Sequence, residues 1–459
     1  MDTNNNQQGK FGKWAKTSIT ARMIIVGILV LVLMIPLSFI ESLITERKFR
    51  QQEVVGEINQ KWGEEVLLYG PILKVPYKVY HTKYVMNTES KKSEKITSSS
   101  TKYAYFFPEK LKINSTINPE EKERGIYKTA VYKSKIDING SFSTPNFSEK
   151  DIKNEDILWD KIHLVVQTSN LKGAISLFEI KMNKNQYSLT SKNFKTKKKY
   201  RSNVINLNEL ESNNILETDV PKDKEVLFSM SVEMKGSKQI QFIPIGKDTD
   251  VNIKSDWKDA NFIGEFLPYN SDKITEDGFN AKWKILDINR PFSQQYFSGI
   301  PDLTEFASGV NFLIPVDEYQ KSERSAKYGF LVIGLTFLIF FLIQTMSKIN
   351  MHPFQYLMVG IALTMFYTLL ISISEHSSFF KAYIIAGTAV VLLITAYSKS
   401  ILKTLKFPLF IGISLTALYT FIFVIIQLEN YALLVGSIGL FLILAGVMYT
   451  SRKIDWENN

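Results

Sequence analysis

Six stretches of the 459-residue chain are almost wholly apolar: 23–40, 328–346, 354–374, 380–397, 407–427 and 431–449. A helix crossing roughly 30 Å of hydrocarbon needs about 20 apolar residues, and each stretch is close to that length. Lys381, at the edge of its stretch, is the one charged residue within them. Five such stretches crowded into 328–449 do not suit the core of a water-exposed protein. The pattern predicts one transmembrane helix, a long gap, and a bundle of five. Pro36 and Pro408 are expected near span ends, where a missing N–H is tolerated. The first stretch follows Lys10, Lys13, Lys16 and Arg22, as a secretory signal would. It exceeds the usual signal length, and 36–41 (PLSFIE) offers no small-residue cleavage site, so it reads as an uncleaved anchor.

Between the first two spans the chain is polar and its period changes. Phe49, Val54, Val55, Ile58 and Trp62 recur at helical spacing, so the first helix should run past its span and stop at Gly63. Beyond it, 226–234 (VLFSMSVEM), 240–245, 251–254 and 279–288 alternate apolar and polar or run short and apolar. Turn formers separate them, as in Lys235-Gly236-Ser237 and Gly246-Lys247-Asp248. Such strands predict a β-rich, β-sandwich-like domain with room for two lobes. The segment 318–327 (EYQKSERSAK) suits a helix feeding the second span. The expected fold class is a multi-pass α-helical membrane protein, 1 + 5 transmembrane helices, with a large β-rich extracytoplasmic domain between helices one and two. The expected segments are a cytoplasmic tail 1–22, span 23–40, the outer domain 41–327, the bundle 328–449 and a cytoplasmic tail 450–459.

Charge adds direction to this layout. Lys and Arg total 55 against 45 Asp and Glu, a net charge of +10. The mean hydropathy of −0.04 averages two unlike populations. With a cytoplasmic N-terminus, ten basic residues fall on that side: Lys10, Lys13, Lys16, Arg22, Lys348, Lys399, Lys403, Lys406, Arg452 and Lys453. The short loops opposite hold only Lys381, beside Glu375 and Glu429. The positive-inside bias therefore predicts both termini in the cytoplasm and the large domain outside the membrane on the far side. Tyr328, Tyr356, Tyr383, Tyr397, Tyr431 and Tyr449 flank the spans as an interfacial belt. Segment 41–327 carries 44 basic and 40 acidic residues, so the surplus follows topology and implies no nucleic-acid partner. The run 192–201 (KNFKTKKKYR) reads as a solvated hairpin tip rather than an anion or membrane patch. Cysteine is absent, which excludes disulfides, thiolate nucleophiles and Cys-bound metals.

No metalloprotease, serine-hydrolase or P-loop motif occurs. His81, His163, His352 and His376 are scattered, the last two at opposite ends of one span and so about 30 Å apart. No catalytic residue, metal or cofactor is assigned. The constellation singled out lies on span 354–374. Thr364, Thr368 and Ser372 are four residues apart, Glu375 follows at three, and His376 adjoins it. It can serve as a site for a lipid head group, ion or proton relay, or as an interhelical hydroxyl seam capped by a polar turn. The second reading is preferred. Ala432, Gly436 and Gly439 in the last span would let helices approach closely.

Several stretches carry a resemblance. Residues 46–77 (ERKFRQQEVVGEINQKWGEEVLLYGPILKVPY) resemble the start of the outer domain in CreD-type inner-membrane proteins. Arg124-Gly125-Ile126-Tyr127 followed by Ala130-Val131-Tyr132, then 309–329 (GVNFLIPVDEYQKSERSAKYG) and 351–376 (MHPFQYLMVGIALTMFYTLLISISEH), are similar to further family stretches. The resemblance implies a cell-envelope integrity protein of the bacterial inner membrane, its large domain periplasmic, whose loss or excess alters envelope behaviour and colicin tolerance. It supplies no catalytic residues. The leading expectation is a non-enzymatic protein whose partners are the lipid bilayer and an unknown periplasmic protein or envelope ligand. The alternatives are a transporter or lipid-handling protein using the polar face of span 354–374, and a membrane-bound envelope-modifying enzyme with a hidden carboxylate pair.

Overall fold

The computed structural model describes residues 19–86, 93–191, 207–222, 224–312, 318–347, 349, 351–402, 405–428 and 431–452. Lys10, Lys13, Lys16, Lys348, Lys403, Lys453, Glu429 and the basic run 192–201 lie outside the described residues. The chain divides into two compact units, 53–315 and a second made of 1–52 with 316–459.

Helix α1 runs unbroken from Ile19–Trp62, about 66 Å at roughly 1.5 Å per residue. A span uses less than half of that. Pro36, expected near a span end, lies inside this helix. In hydrocarbon a helix has no water to satisfy a broken ladder, so the helical path is kept through the proline. Gly63 ends α1: its φ of +155° is open to glycine, and an added Cβ would sit 2.8 Å from the Lys235 carbonyl oxygen.

The helical unit continues with α2 (Glu318–Lys327), α3 (Gly329–Ser347), α4 (Pro353–Ser374), α5 (Phe379–Leu402), α6 (Lys406–Gln427) and α7 (Ala432–Ser451). All but α2 are long and apolar enough to cross a membrane. Consecutive spans pack side by side from α4 to α7. His352 starts α4 with a capping box: its Nδ1 accepts the Phe354 N–H, and Gln355 Oε1 accepts the His352 N–H. The Tyr356 hydroxyl then donates to Gln344 Oε1 at 2.7 Å, tying α4 to α3. Helix α7 buries none of its residues, and Gly439 faces the Phe421 ring of α6. An apolar helix exposed all round is at home in lipid, which is as apolar as its side chains.

Among the described residues the other unit holds sixteen strands: β1 (Val66–Met86), β2 (Ser93–Phe106), β3 (Lys110–Arg124), β4 (Tyr127–Phe142), β5 (His163–Thr168), β6 (Glu179–Met182), β7 (Asn185–Ser191), β8 (Asn208–Ser212), β9 (Val226–Ser237), β10 (Gln239–Phe242), β11 (Asp248–Ser255), β12 (Ala260–Gly264), β13 (Ile274–Thr275), β14 (Gly278–Leu286), β15 (Gln295–Tyr296) and β16 (Ser308–Phe312). Their order is β12-β16-β10-β1-β5-β8-β7-β6-β9-β4-β3-β11-β14-β13, with β2 on β1 and β15 on β2. Only β1–β10 and β3–β11 pair in parallel among these. Strand β7 bonds to β8 on one side and β6 on the other, joining two halves of the sheet.

Both halves contribute to one buried core. Tyr132 of β4 is fully buried, lies 5.1 Å ring to ring from Phe312 of β16, and donates to the Gln239 carbonyl at 2.7 Å. It fits because its partner across β4–β9 is Gly236, where a Cβ would meet the ring at 2.3 Å. Each large side chain buried here is worth about 1.5–3 kcal/mol. The four strands anticipated from period two correspond to β9, β10, β11 and β14. The four longest, β1 to β4, are not among them, although β3 alternates polar and apolar residues in the same way from Lys110 to Asn114.

Candidate functional site

The C-terminal half of α4 carries the residues singled out from sequence, and the fold separates them. Thr364 is buried, and its hydroxyl donates to the Ile361 carbonyl of its own helix at 2.8 Å. Thr368 is half-buried, while Ser372 and His376 are exposed. Four residues advance about 400° round a helix, so each step drifts about 40°. The hydroxyls therefore rotate from the bundle interior to its surface.

Glu375 is the member drawn into a network. Its Oε1 accepts from the Tyr319 hydroxyl at 3.3 Å and lies 3.7 Å from Arg47 Nε. A carboxylate at the end of α4 meets the negative end of the helix dipole, and the guanidinium from α1 offsets that. Glu318 does the reverse job: its Oε2 accepts the Phe379 N–H at 2.8 Å and caps the positive end of α5. Glu323 bonds Lys327 at 2.9 Å and Lys48 at 3.2 Å. Those two ammonium groups hold its carboxyl below the usual range. Short α2 thus links α1, α4 and α5 through three acidic or phenolic side chains. Sequence reading missed Arg47, Lys48, Glu318, Tyr319 and Glu323, which come from segments about 270 residues apart. Their usable signal was opposite charge just outside span ends on one predicted side. Glu318→Ala should lower the stability of the helical unit by about 1 kcal/mol, the worth of a lost cap. A thermal melt in detergent read by helical circular dichroism checks this.

In the β-rich unit, one buried cluster of charge joins β1 to β8. Lys74 of β1 reaches Glu209 and Glu211 of β8, each at 3.2 Å, and lies over the Tyr103 ring at 4.9 Å. Burial opposes its charge, but Glu209, Tyr105 and Glu211 outweigh burial and raise its pKa. His163 Nδ1 sits 2.9 Å from the Ser212 carbonyl oxygen and 3.5 Å from Glu211. A second polar knot surrounds fully buried Asp219, which accepts from Asn183 and Asn185 at 2.8 Å each and from the Tyr187 hydroxyl. Both knots are internally paired and close no reaction geometry. A groove of about 670 Å³ crosses β3, β4, β9 and β11 at Lys110, Lys112, Asn139, Phe228, Asp248 and Asp250. Lys284 bridges the two aspartates, so neither sign of charge dominates.

Residues 18–457 match the family described as Inner membrane protein CreD. The Inner membrane protein CreD of Escherichia coli (strain K12) is 28% identical over 429 residues, which cover 93% of this chain and 91% of that protein. The match takes in the first span, the β-rich unit, α2 and the five clustered spans, so it concerns the architecture and not one module of it. The chain belongs to the CreD family and is a multi-pass inner membrane protein of the cell envelope.

Proposed function

We propose that the protein maintains envelope integrity without catalysing a reaction, its β-rich unit facing the periplasm and recognising an envelope partner while the five-helix bundle anchors it. The observation carrying this is α1: one helix leaves an apolar span and ends inside the hydrogen bonding of the β-rich unit, where Trp62 Nε1 donates to the Tyr132 carbonyl at 3.3 Å. The ten basic residues flanking the spans on one side support cytoplasmic termini. Within the helical unit, Glu375 with Arg47 and Tyr319 then serves to hold helix ends together rather than to pass an ion.

The absence of cysteine makes the sidedness directly testable. Asn139→Cys, on an exposed strand position, should react with a membrane-impermeant maleimide in intact spheroplasts. Labelling only after lysis would place the domain in the cytosol and sink the reading. Deleting residues 53–315 should abolish the envelope phenotype. A Glu375→Gln/His376→Ala double variant should keep it; its loss would instead favour the transporter or lipid-handling alternative.

A further inference from the structure

The β-rich unit has a second cleft, about 420 Å³, where the last turns of α1 meet the strands. Asn59 and Gln60 of α1, Glu64, Asn208, Ser237 and Lys238 face it, with Gly56, Glu65 and Ser169 completing the wall. Apart from Gly56, every residue in its wall is polar or charged, which suits a polar occupant better than an acyl chain or a hydrophobic peptide. Glu65 is already engaged by Gln239 Nε2 at 2.7 Å and lies 3.9 Å from Lys238 Nζ.

Two polar groups in this wall are buried and unpartnered among the described residues. Asn59 is 6% exposed; its Oδ1 accepts from Thr129 at 3.1 Å, but its Nδ2 has no acceptor. Ser237 is fully buried and its Oγ bonds to nothing. A buried polar atom left without a partner destabilises by about 1–3 kcal/mol. Asn59 and Ser237, on different elements, both belong to the wall of this cleft, so two unmet hydrogen-bonding groups lie beside one cavity.

We propose that this cleft binds a neutral saccharide of one or two rings. The argument rests on the preceding reading that the β-rich unit recognises an envelope component, and it names the chemistry of that component. An amide and a hydroxyl offer fixed donors, the carboxylates of Glu64 and Glu65 offer acceptors, and Lys238 offsets one of the two negative charges. Vicinal hydroxyls both donate and accept, so a sugar ring satisfies such a mixed wall as an ion or an amine does not. The volume falls within the range of small-molecule sites. Because Asn59 is part of α1, occupancy of the cleft braces the end of the helix that enters the membrane.

The test uses the full-length protein in detergent, titrated with N-acetylglucosamine and its β-1,4-linked dimer, and read by thermal unfolding of the β-rich unit. A saturable upward shift is expected, since a ligand that binds only the folded state stabilises it. Asn59→Leu and Ser237→Val should each weaken the affinity about tenfold, the equivalent of one lost hydrogen bond. Exposed Gln60→Ala, which leaves the fold untouched, should weaken it as well and covers the case in which the buried variants fail to fold. No saturable shift with either sugar overturns the proposal. So does an equal shift with glycerol at the same molarity, or a shift undiminished in Gln60→Ala and in whichever buried variants fold. Loss of the envelope phenotype on deleting 53–315, together with no sugar binding, would retain the functional reading and discard this one.

Discussion

Lys74→Met should destabilise the β-rich unit by about 3–5 kcal/mol, the expected result of removing one partner from a buried charge network. Glu211 is only 2% exposed, and the substitution takes away the ammonium that stands 3.2 Å from its carboxylate. The loss comes from stranding that charge and not from the net worth of the pair. The double variant Lys74→Met/Glu211→Leu should therefore recover much of the loss, because the interior then holds apolar groups of similar size. Chemical unfolding of the full-length protein, followed by the fluorescence of Trp159 and Trp283, measures both. A single variant that melts like the wild type would show that Glu211 finds water. The pH dependence has a sign. The pKa of Lys74 is raised on folding, so its contribution is complete below the ordinary lysine value of about 10.4 and fades as pH climbs above it.

Asp219→Ala should lower stability by about 2–3 kcal/mol and loosen one hairpin selectively. Asp219 collects three donors: the amides of Asn183 and Asn185, at the turn between β6 and β7, and the Tyr187 hydroxyl. Asn183 can turn to solvent, but Tyr187 cannot, and each buried group left unpaired destabilises by about 1–3 kcal/mol. The Tyr187 phenol, which also accepts the Leu216 N–H at 3.1 Å, would be left with no acceptor for its own proton. Burial first, then the bond to Asp219, pushes its pKa up to about 12. A raised pKa again means stability that is present below the ordinary tyrosine value near 10 and lost as pH rises toward about 12. Wild-type unfolding should thus steepen between about pH 10 and 12, and the Asp219→Ala variant should show less of that slope. Hydrogen exchange should rise in β6 and β7 and stay unchanged in β3 and β4. Uniform exchange across the unit would mean that the knot does not act locally.

The α4 cluster shows where reading along the chain is sound and where it falls short. Glu375 was recognised as the charged residue closing a span, and it makes contacts to Arg47 and Tyr319. The hydroxyls at four-residue spacing were grouped with it because they look aligned in one dimension. On the helix they drift, and Ser372 ends on the surface while Thr364 is buried. The partners of Glu375 could not be named beforehand, since α1 and α2 reach it from opposite ends of the chain. The cleft at Asn59 and Ser237 gives no sign in sequence: an asparagine in a helix and a serine at a strand end are ordinary, and only a buried amide nitrogen and a buried hydroxyl left unpaired among the described residues set them apart.

What the amino-acid order determined unaided was the partition between oil and water. Six spans, the helical run to Trp62, the stop at Gly63 and the strands at 226–234, 240–245, 251–254 and 279–288 follow from the hydropathy and backbone preference of neighbouring residues, which act over a few ångströms. What only the tertiary structure decided was pairing. Which strand lies beside β1, why Lys74 meets Glu211 across 137 positions, and why Tyr132 has Gly236 opposite it depend on where the chain returns. That return is set by the summed packing of one common core, a quantity that no local window of sequence contains.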